Sequence, residues 1–443
     1  MRPNRLPVIF FTAAVILMAS SVAWLALEMK RDVVVEALPA AKNFRPGGAG
    51  PKPGKDGAKP GTDATQEGPS AAGTGTAKDA NAMPKIEALN GPDTVPDEAL
   101  LTFRTPEALA AFRDRAASLG LEVLGYDTKL RTARVRFKDA SGLERDLAAH
   151  AGDYVHVGPN RIVRVPGLPA AEAATDTANA GGREPFRSQG LDAIGAAANR
   201  TGWGQGVTVA VIDSGITAHP SLQSTQISHI DMVNDGSEMN GHGTAMASLI
   251  AGDDPNVGGV SPAAKLLDIR VTDANGDSNT ALLSSAIVKA TDMGARVINI
   301  SLGASGSSPM LEEAVRYAQR HNVIIVAAAG NEQQSALSMP AGYSGVISVG
   351  AVDANGTQAY FSNSGNGLTL VAPGVGIVSG YTDSRFVIGS GTSQATAITS
   401  GVVAYLLGRG YYSANIIPLL TRTAAPLNAP ATAVGAGLIQ VAK

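Results

Sequence analysis

Apolar and polar positions divide the chain into blocks of different period. Residues 6–27 (LPVIFFTAAVILMASSVAWLAL) form an uncharged apolar run long enough to cross a bilayer as one helix. Arg2 and Arg5 precede it, which places whatever follows outside the cytoplasm. Ser21-Val22-Ala23 resembles a small-residue processing site, although the run is longer than a usual signal core. Segment 1–30 therefore reads as a signal anchor helix or a cleaved signal peptide, with a buried soluble helix as a third alternative. Either of the first two makes the protein an exported one, anchored in the membrane facing outside the cytoplasm or secreted after processing. Residues 31–96 then run mainly through Pro, Gly, Ala, Lys and Thr with few large apolar side chains, so 31–96 is predicted to be a disordered tether.

From residue 97 the pattern returns. DEALLTFR reads as a strand, and TPEALAAFRDRAASLG as a helix with Thr105 as N-cap, Pro106 in its first turn and Gly120 as its stop. LEVLGYD, KLRTARVRF and YVHVGPNRIVRVP read as strands, and LERDLAAHA as a short helix. The order β-α-β-β-α-β predicts a small α+β, ferredoxin-like unit over 97–166. A second flexible stretch, 167–185, separates it from the remainder. Over 186–443, short continuous Val- and Ile-rich runs alternate with helical segments. Strands are predicted at Val207–Asp213, Leu266–Val271, Val297–Leu302, Val323–Ala328 and Val346–Val352, with helices at 279–293 and 308–321. The expected fold is a doubly wound, mostly parallel α/β domain with its functional groups at the carboxyl ends of the strands.

Composition sharpens this division. The chain has 443 residues, a net charge of −3 and no cysteine. The absence of Cys excludes disulfides, thiolate catalysis, iron–sulfur clusters and cysteine-based zinc sites. The balanced charge leaves no basic footprint for nucleic acid. Residues 94–165 carry 11 basic and 10 acidic side chains, whereas the much longer stretch 186–443 carries 12 and 16. A small, highly charged unit thus precedes a large one with an extensive apolar and glycine-rich interior.

With six histidines in the chain, a general base can be sought by elimination. His150 and His156 belong to the small unit; His219 lies in a turn before Pro220, His229 in a strand, and His321 at a helix end, all structural settings. His242 differs, standing in Asn-Gly-His-Gly-Thr (240–244) at the start of an apolar helix, where glycines allow close backbone approach and the helix N-terminus disfavours the cation. Taken alone it could still be a helix-start histidine without a role. Asp213 closes the strand VTVAVID, Ser393 opens a helix after Ser-Gly-Thr, and Asn331 follows VIIVAAAG. Each alone is also an ordinary cap or turn residue. Together they give Asp, His and Ser in that chain order, each at a glycine-rich junction, an order distinct from those of chymotrypsin and the α/β-hydrolases.

VAVIDSGI, NGHGTAMASLIAG, VINISLG, VAAAGNE and SGTSQATAITSG together resemble the subtilisin-like serine proteases over roughly 190–443. Residues 97–166 resemble that family's propeptide, a ferredoxin-like folding assistant and intramolecular inhibitor. The resemblance implies a zymogen acting on protein or peptide substrates, with Ser393 as nucleophile, His242 as base, Asp213 orienting it, and Asn331 binding the oxyanion. It further implies that Ser301, Leu302 and Gly303 pair with substrate backbone and that Ala328 to Gly330 line the first specificity pocket. No cofactor is required for such chemistry.

Several positions depart from the family pattern. Ala245 stands where a second histidine is usual, and Gln394-Ala395-Thr396-Ala397-Ile398 replaces Met-Ala-Thr/Ser-Pro-His. Ser221 replaces an aspartate, and the loop before Gly259-Val260-Ser261-Pro262 is short, which argues against a structural calcium. Asp273-Ala-Asn-Gly-Asp277 lacks the glycine and glutamate of an EF-hand and reads as a turn, so no metal ligand is assigned. A catalytically silent, peptide-binding protein of the same fold is the alternative; an esterase is disfavoured by the chain order and the absence of G-x-S-x-G.

Overall fold

The computed structural model describes residues 85–86, 88–166, 182–196, 199–254 and 257–441. The apolar run 6–27 and most of the tether lie outside them. Among the described residues, no helix is long and apolar enough to cross a membrane.

The small unit comprises β1 (Lys85–Ile86), β2 (Thr94–Phe103), α1 (Pro106–Ala116), β3 (Leu121–Asp127), β4 (Thr132–Phe137), α2 (Ser141–Ala149) and β5 (Tyr154–Arg164). Its strands lie in the order β1-β5-β2-β4-β3. The Thr105 side chain accepts the Ala108 N–H at 3.1 Å, and Pro106 sits where a missing N–H costs nothing. Gly120, at φ +75°, ends the turn after α1, as a left-handed position requires. Phe103, Phe112 and Tyr154 pack together over Leu101 and Val135 to form the core. This unit begins before residue 97: β2 opens at Thr94, and Lys85–Ile86 pairs in parallel with His156–Val157. Such pairing uses backbone groups that every residue carries, so the polar, Pro/Gly-rich composition of the segment gave no sign of it.

The large unit is built on a seven-stranded parallel sheet. Its strands are β6 (Thr208–Asp213), β7 (Ile227–Asp231), β8 (Lys265–Arg270), β10 (Val297–Ile300), β11 (Ile324–Ala328), β12 (Ile347–Val352) and β13 (Leu370–Pro373), in the order β13-β12-β11-β10-β6-β8-β7. The short β9 (Asp277–Asn279) pairs with β5, and β14 (Ile377–Gly380) and β15 (Phe386–Gly389) form a hairpin. The five strands expected from the apolar runs are present within two residues of their predicted ends. On one face lie α3 (His242–Ala251) and α6 (Thr392–Gly408), packed with Val209, Val211, Met246, Ile250 and Val402. On the other lie α4 (Thr280–Asp292) and α5 (Pro309–Arg320), packed with Ala210, Ile212, Ile287 and Leu311. α6 is buried from Thr392 to Leu407, which explains why its sequence is apolar on every side. The crevice at the carboxyl ends of β6 and β10 lies where the strand order changes direction, the position expected for a site in such a sheet.

The small unit docks on the α4/α5 face. Leu100, Leu130 and Val163 join the core there, and the Asn160 Oδ1 accepts from Ala281 N–H at 3.1 Å and Thr280 Oγ1 at 3.2 Å, capping α4. Residues 182–185, placed within the flexible stretch by the sequence, pack on the large unit: Glu184 N–H donates to Asp353 Oδ2 at 3.1 Å, and the Glu184 carbonyl accepts from Ala354 N–H.

Candidate active site

Asp213 is the last residue of β6 and is completely buried. Its Oδ1 accepts the Ser214 N–H at 2.7 Å and faces His242 Nδ1 at 2.8 Å, while its Oδ2 has no partner. A proton on Nδ1 donated to this carboxylate leaves the other ring nitrogen, Nε2, as an acceptor. The turn that follows Asp213 grips the start of α3. Ser214 Oγ donates to the Asn240 carbonyl and accepts from Gly243 N–H, and Thr217 N–H donates to Thr244 Oγ1. A Cβ on Gly243 would come within 2.4 Å of the Gly215 carbonyl, so only glycine permits this approach.

Ser393 lies in the first turn of α6. Its Oγ donates to the Ser301 carbonyl at 3.2 Å, and Ser301 Oγ donates to the Ser393 carbonyl at 3.3 Å. Asn331, beyond the end of β11, accepts on Oδ1 from both the N–H and the hydroxyl of Thr392. This fixes the amide so that Nδ2 lies beside Gly391, where a Cβ would sit 3.1 Å from it. The same Cβ would lie 3.7 Å from the Ser393 nitrogen, so Nδ2 and the Ser393 N–H are two donors collected beside Gly391.

A cavity of about 560 Å³ opens between the ends of β10 and β11, lined among others by Leu302, Gly303, Ala328, Gly330, Glu332 and Asn363. Glu332 accepts from Asn363 Nδ2 at 2.8 Å. The end of β5 and the two residues after it line the same space. Arg164 exchanges two backbone hydrogen bonds with Gly303, at 3.0 and 3.1 Å, and Val165 N–H donates to the Gly276 carbonyl at 3.0 Å. Two residues before Gly303 stands Ser301, hydrogen-bonded in both directions to Ser393, and two residues after Arg164 stands Pro166, which lines the cavity.

The residues singled out from sequence therefore meet as follows. Asp213 and His242 are directly bonded, Asn331 and Ser393 are joined through Thr392, Leu302, Gly303, Ala328 and Gly330 share one cavity, and Ser301 is buried outside its lining, hydrogen-bonded to Ser393. Sequence reasoning passed over Thr392, Gly276 and Asp268. Thr392 stood inside the Gly-Thr-Ser motif, and Asp268 was visible as a carboxylate within the apolar run KLLDIRV. His229, taken as structural, lies 2.5 Å from the Asp268 carboxylate. His219 is buried, with Nδ1 2.8 Å from Ser221 Oγ and Nε2 3.0 Å from the Arg385 carbonyl; burial lowers its pKa. Asp273 Oδ1 accepts the N–H groups of Asn275 and Asp277, closing the turn read from sequence. Among the described residues, no group of three or more His, Cys, Asp or Glu side chains could hold a metal ion.

Comparison with known proteins places the large unit in a family. The model of the Subtilase family matches residues 204–437, a little over half the chain. The thermostable alkaline protease of Halalkalibacterium halodurans is 38% identical over 250 residues, covering 55% of this chain and 69% of that protein. The thermophilic serine proteinase of Bacillus sp. AK1 is 38% identical over 234 residues, covering 51% of this chain and 58% of its own length. Among solved structures, fervidolysin from Fervidobacterium pennivorans, described as a keratinolytic enzyme related to subtilisin, is similar with a TM-score of 0.70 and 25% identity. That match covers 82% of this chain and 62% of fervidolysin.

Proposed function

The chain belongs to the subtilase family, and from that membership we propose that it is an exported serine endopeptidase made as a zymogen. His242 Nε2 takes the proton of Ser393 as its Oγ attacks a peptide carbonyl, and Asp213 stabilises the imidazolium that forms. To do so, the hydroxyl turns from the Ser301 carbonyl towards the imidazole. The oxyanion is held by Asn331 Nδ2 and the Ser393 N–H. Collapse of the tetrahedral intermediate expels the amine, which takes the proton from His242 and leaves an acyl-enzyme. Water, deprotonated by the same imidazole, then releases the acid and restores Ser393. No cofactor enters these steps. The observation that carries this reading is the Asp213–His242 hydrogen bond at the same sheet edge as the Ser393–Thr392–Asn331 cluster.

Substrate binds as an added strand along Ser301–Gly303, a mode that reads backbone more than sequence. The small residues Ala328 and Gly330 leave room for a large side chain beside them. The unit 97–166 acts as a ferredoxin-like propeptide and inhibitor. Its last strand lies along this track, and processing follows Pro166, at the head of the stretch 167–185; the Arg164–Gly303 pairing two residues earlier supports this reading. Export rests on the apolar run 6–27. The test is a fluorophosphonate probe with N-terminal sequencing of the full chain. Wild type should label, and its mature chain should begin at or after residue 167; Ser393→Ala should neither label nor mature. Equal labelling of both, or of neither, would overturn the reading, the latter in favour of a silent peptide-binding protein.

A further inference from the structure

Beside Asp213 and His242 lies a second aspartate–histidine pair for which the proposed reaction has no use. Asp268 and Arg270 stand two residues apart on β8 and so share one face of the sheet. The register sets Val211 and Asp213 beside them on β6, and His229 and Asp231 beside them on β7. Arg270 is fully engaged, donating to Asp231 at 3.0 Å, Asp235 at 3.1 Å, Ser237 Oγ and the Thr272 carbonyl. Asp268 is not. It is completely buried, and its Oδ2 both accepts the Ile216 N–H at 3.0 Å and faces His229 Nδ1 at 2.5 Å, while Oδ1 has no partner.

A neutral side chain could accept from Ile216 without the cost of burying a charge. The carboxylate is therefore better explained by what it does to its surroundings. Ile216 belongs to the turn that leaves Asp213 and is tied to the start of α3 through Ser214 and Thr217. Asp268 thus holds, from the sheet side, a turn that is tied to both Asp213 and the start of α3.

We propose that Asp268 is a positioning residue for the Asp213–His242 pair, setting the turn through Ile216 and adding its negative charge to that of Asp213 in stabilising the imidazolium. The inference rests on the serine-protease reading above. Burial pushes the Asp268 carboxyl up to about 6 against the opposing Ile216 and His229 contacts, and the charge of Asp213 pushes the same way. It is therefore mostly ionised at neutral pH. The charged and titratable groups around it are Asp213 from β6, His229 and Asp231 from β7, Arg270 from β8, Asp235 from the loop after β7, and His242 from α3. α4 covers the opposite face with Leu283, Ala286 and Ile287 and turns Lys289 and Asp292 outward.

Two substitutions separate geometry from charge. Asp268→Asn keeps an acceptor for Ile216 and removes the charge; Asp268→Ala removes both. The full chain is allowed to mature, and peptide hydrolysis is measured across pH with rates normalised to fluorophosphonate-titrated sites. In Asp268→Asn the acid limb of kcat/KM should move to lower pH by on the order of half a unit, because imidazolium loses a stabilising charge. KM should stay unchanged. Asp268→Ala should in addition lose about tenfold or more in kcat through the misplaced turn. If that variant fails to fold, the pH profile of Asp268→Asn decides alone. An acid limb that superimposes on wild type overturns the proposal, even where thermal stability falls, since a merely structural role would leave the profile in place. If Ser393→Ala labels as wild type does, the serine-protease reading fails whatever Asp268 does.

Discussion

The two units bury carboxylates in opposite ways. In the small unit, Glu98 takes both hydrogen bonds of the Arg134 fork, a third from Arg136 and a fourth from Asn160. Asp146 is held likewise by Arg115 and by the Tyr154 hydroxyl. Burial raises the pKa of both, yet the hydrogen bonds and charges of their partners outweigh it and leave both below the ordinary value. In the large unit, Asp213 and Asp268 meet an imidazole and backbone N–H groups, and each keeps one bare oxygen. A carboxylate surrounded by fixed cations is locked and stabilises one structure. One left partly unsatisfied beside a titratable ring retains electrostatic influence over that ring, at some expense of stability.

The largest effect should come from Asp213. Asp213→Asn preserves shape but no longer orients the imidazole, so kcat should fall by about 10⁴, the size seen for this change in serine-protease triads, while the thermal midpoint hardly moves. A large loss of stability with activity intact would erase the contrast between the units. Asp146 should behave in the opposite way. Asp146→Ala leaves the Tyr154 hydroxyl without its carboxylate and Arg115 with Asp153 in place of its bidentate partner, and should destabilise the small unit by about 3 kcal/mol, with kcat of the matured enzyme unchanged.

Acidification tests the same contrast without mutation. Glu98 and Asp146 have folded pKa values below their unfolded ones, so the stability they give is present above the unfolded value and lost as pH falls through the folded one. Asp268, raised from 3.8 to about 6, has the reverse sign: its contribution is full below the unfolded value and is lost as pH rises towards 6. Hydrogen exchange on the full chain should therefore show the small unit opening first as pH drops below about 4. Simultaneous opening would mean that these pairings do not govern the order. The smallest effect belongs to Gln394, whose Oε1 is buried without a partner. Gln394→Met should change kcat by no more than about threefold but make activity sensitive to peroxide, because a thioether oxidises where an amide does not. Unaltered peroxide resistance would show that the position is shielded.

Much of this was legible in the chain. The runs VTVAVID and VIIVAAA read as buried parallel strands because both faces of such a strand are covered, and NGHGT and SGTS marked helix starts through their glycines and caps. Side-chain pattern reports burial and local backbone demands, and those elements depend on little else. The contribution of Lys85–Ile86 was hidden because its pairing uses only backbone groups. The role of His229 was hidden because its partner, Asp268, lies 39 residues further along the chain.

The sequence by itself determined the chemistry available: no thiol, one histidine at a glycine-flanked helix start, and an aspartate and a serine in subtilisin order. It also determined the doubly wound architecture, because uninterrupted apolar strands must be covered on both faces. Only the tertiary structure decided which groups share a site. Strand register set His229 against Asp268 on the strand next to the one that ends in Asp213, and laid Arg164 against Gly303. Hydrogen bonds of about 3 Å between residues far apart in the chain follow from how elements are stacked, and periodicity along the chain carries no record of that.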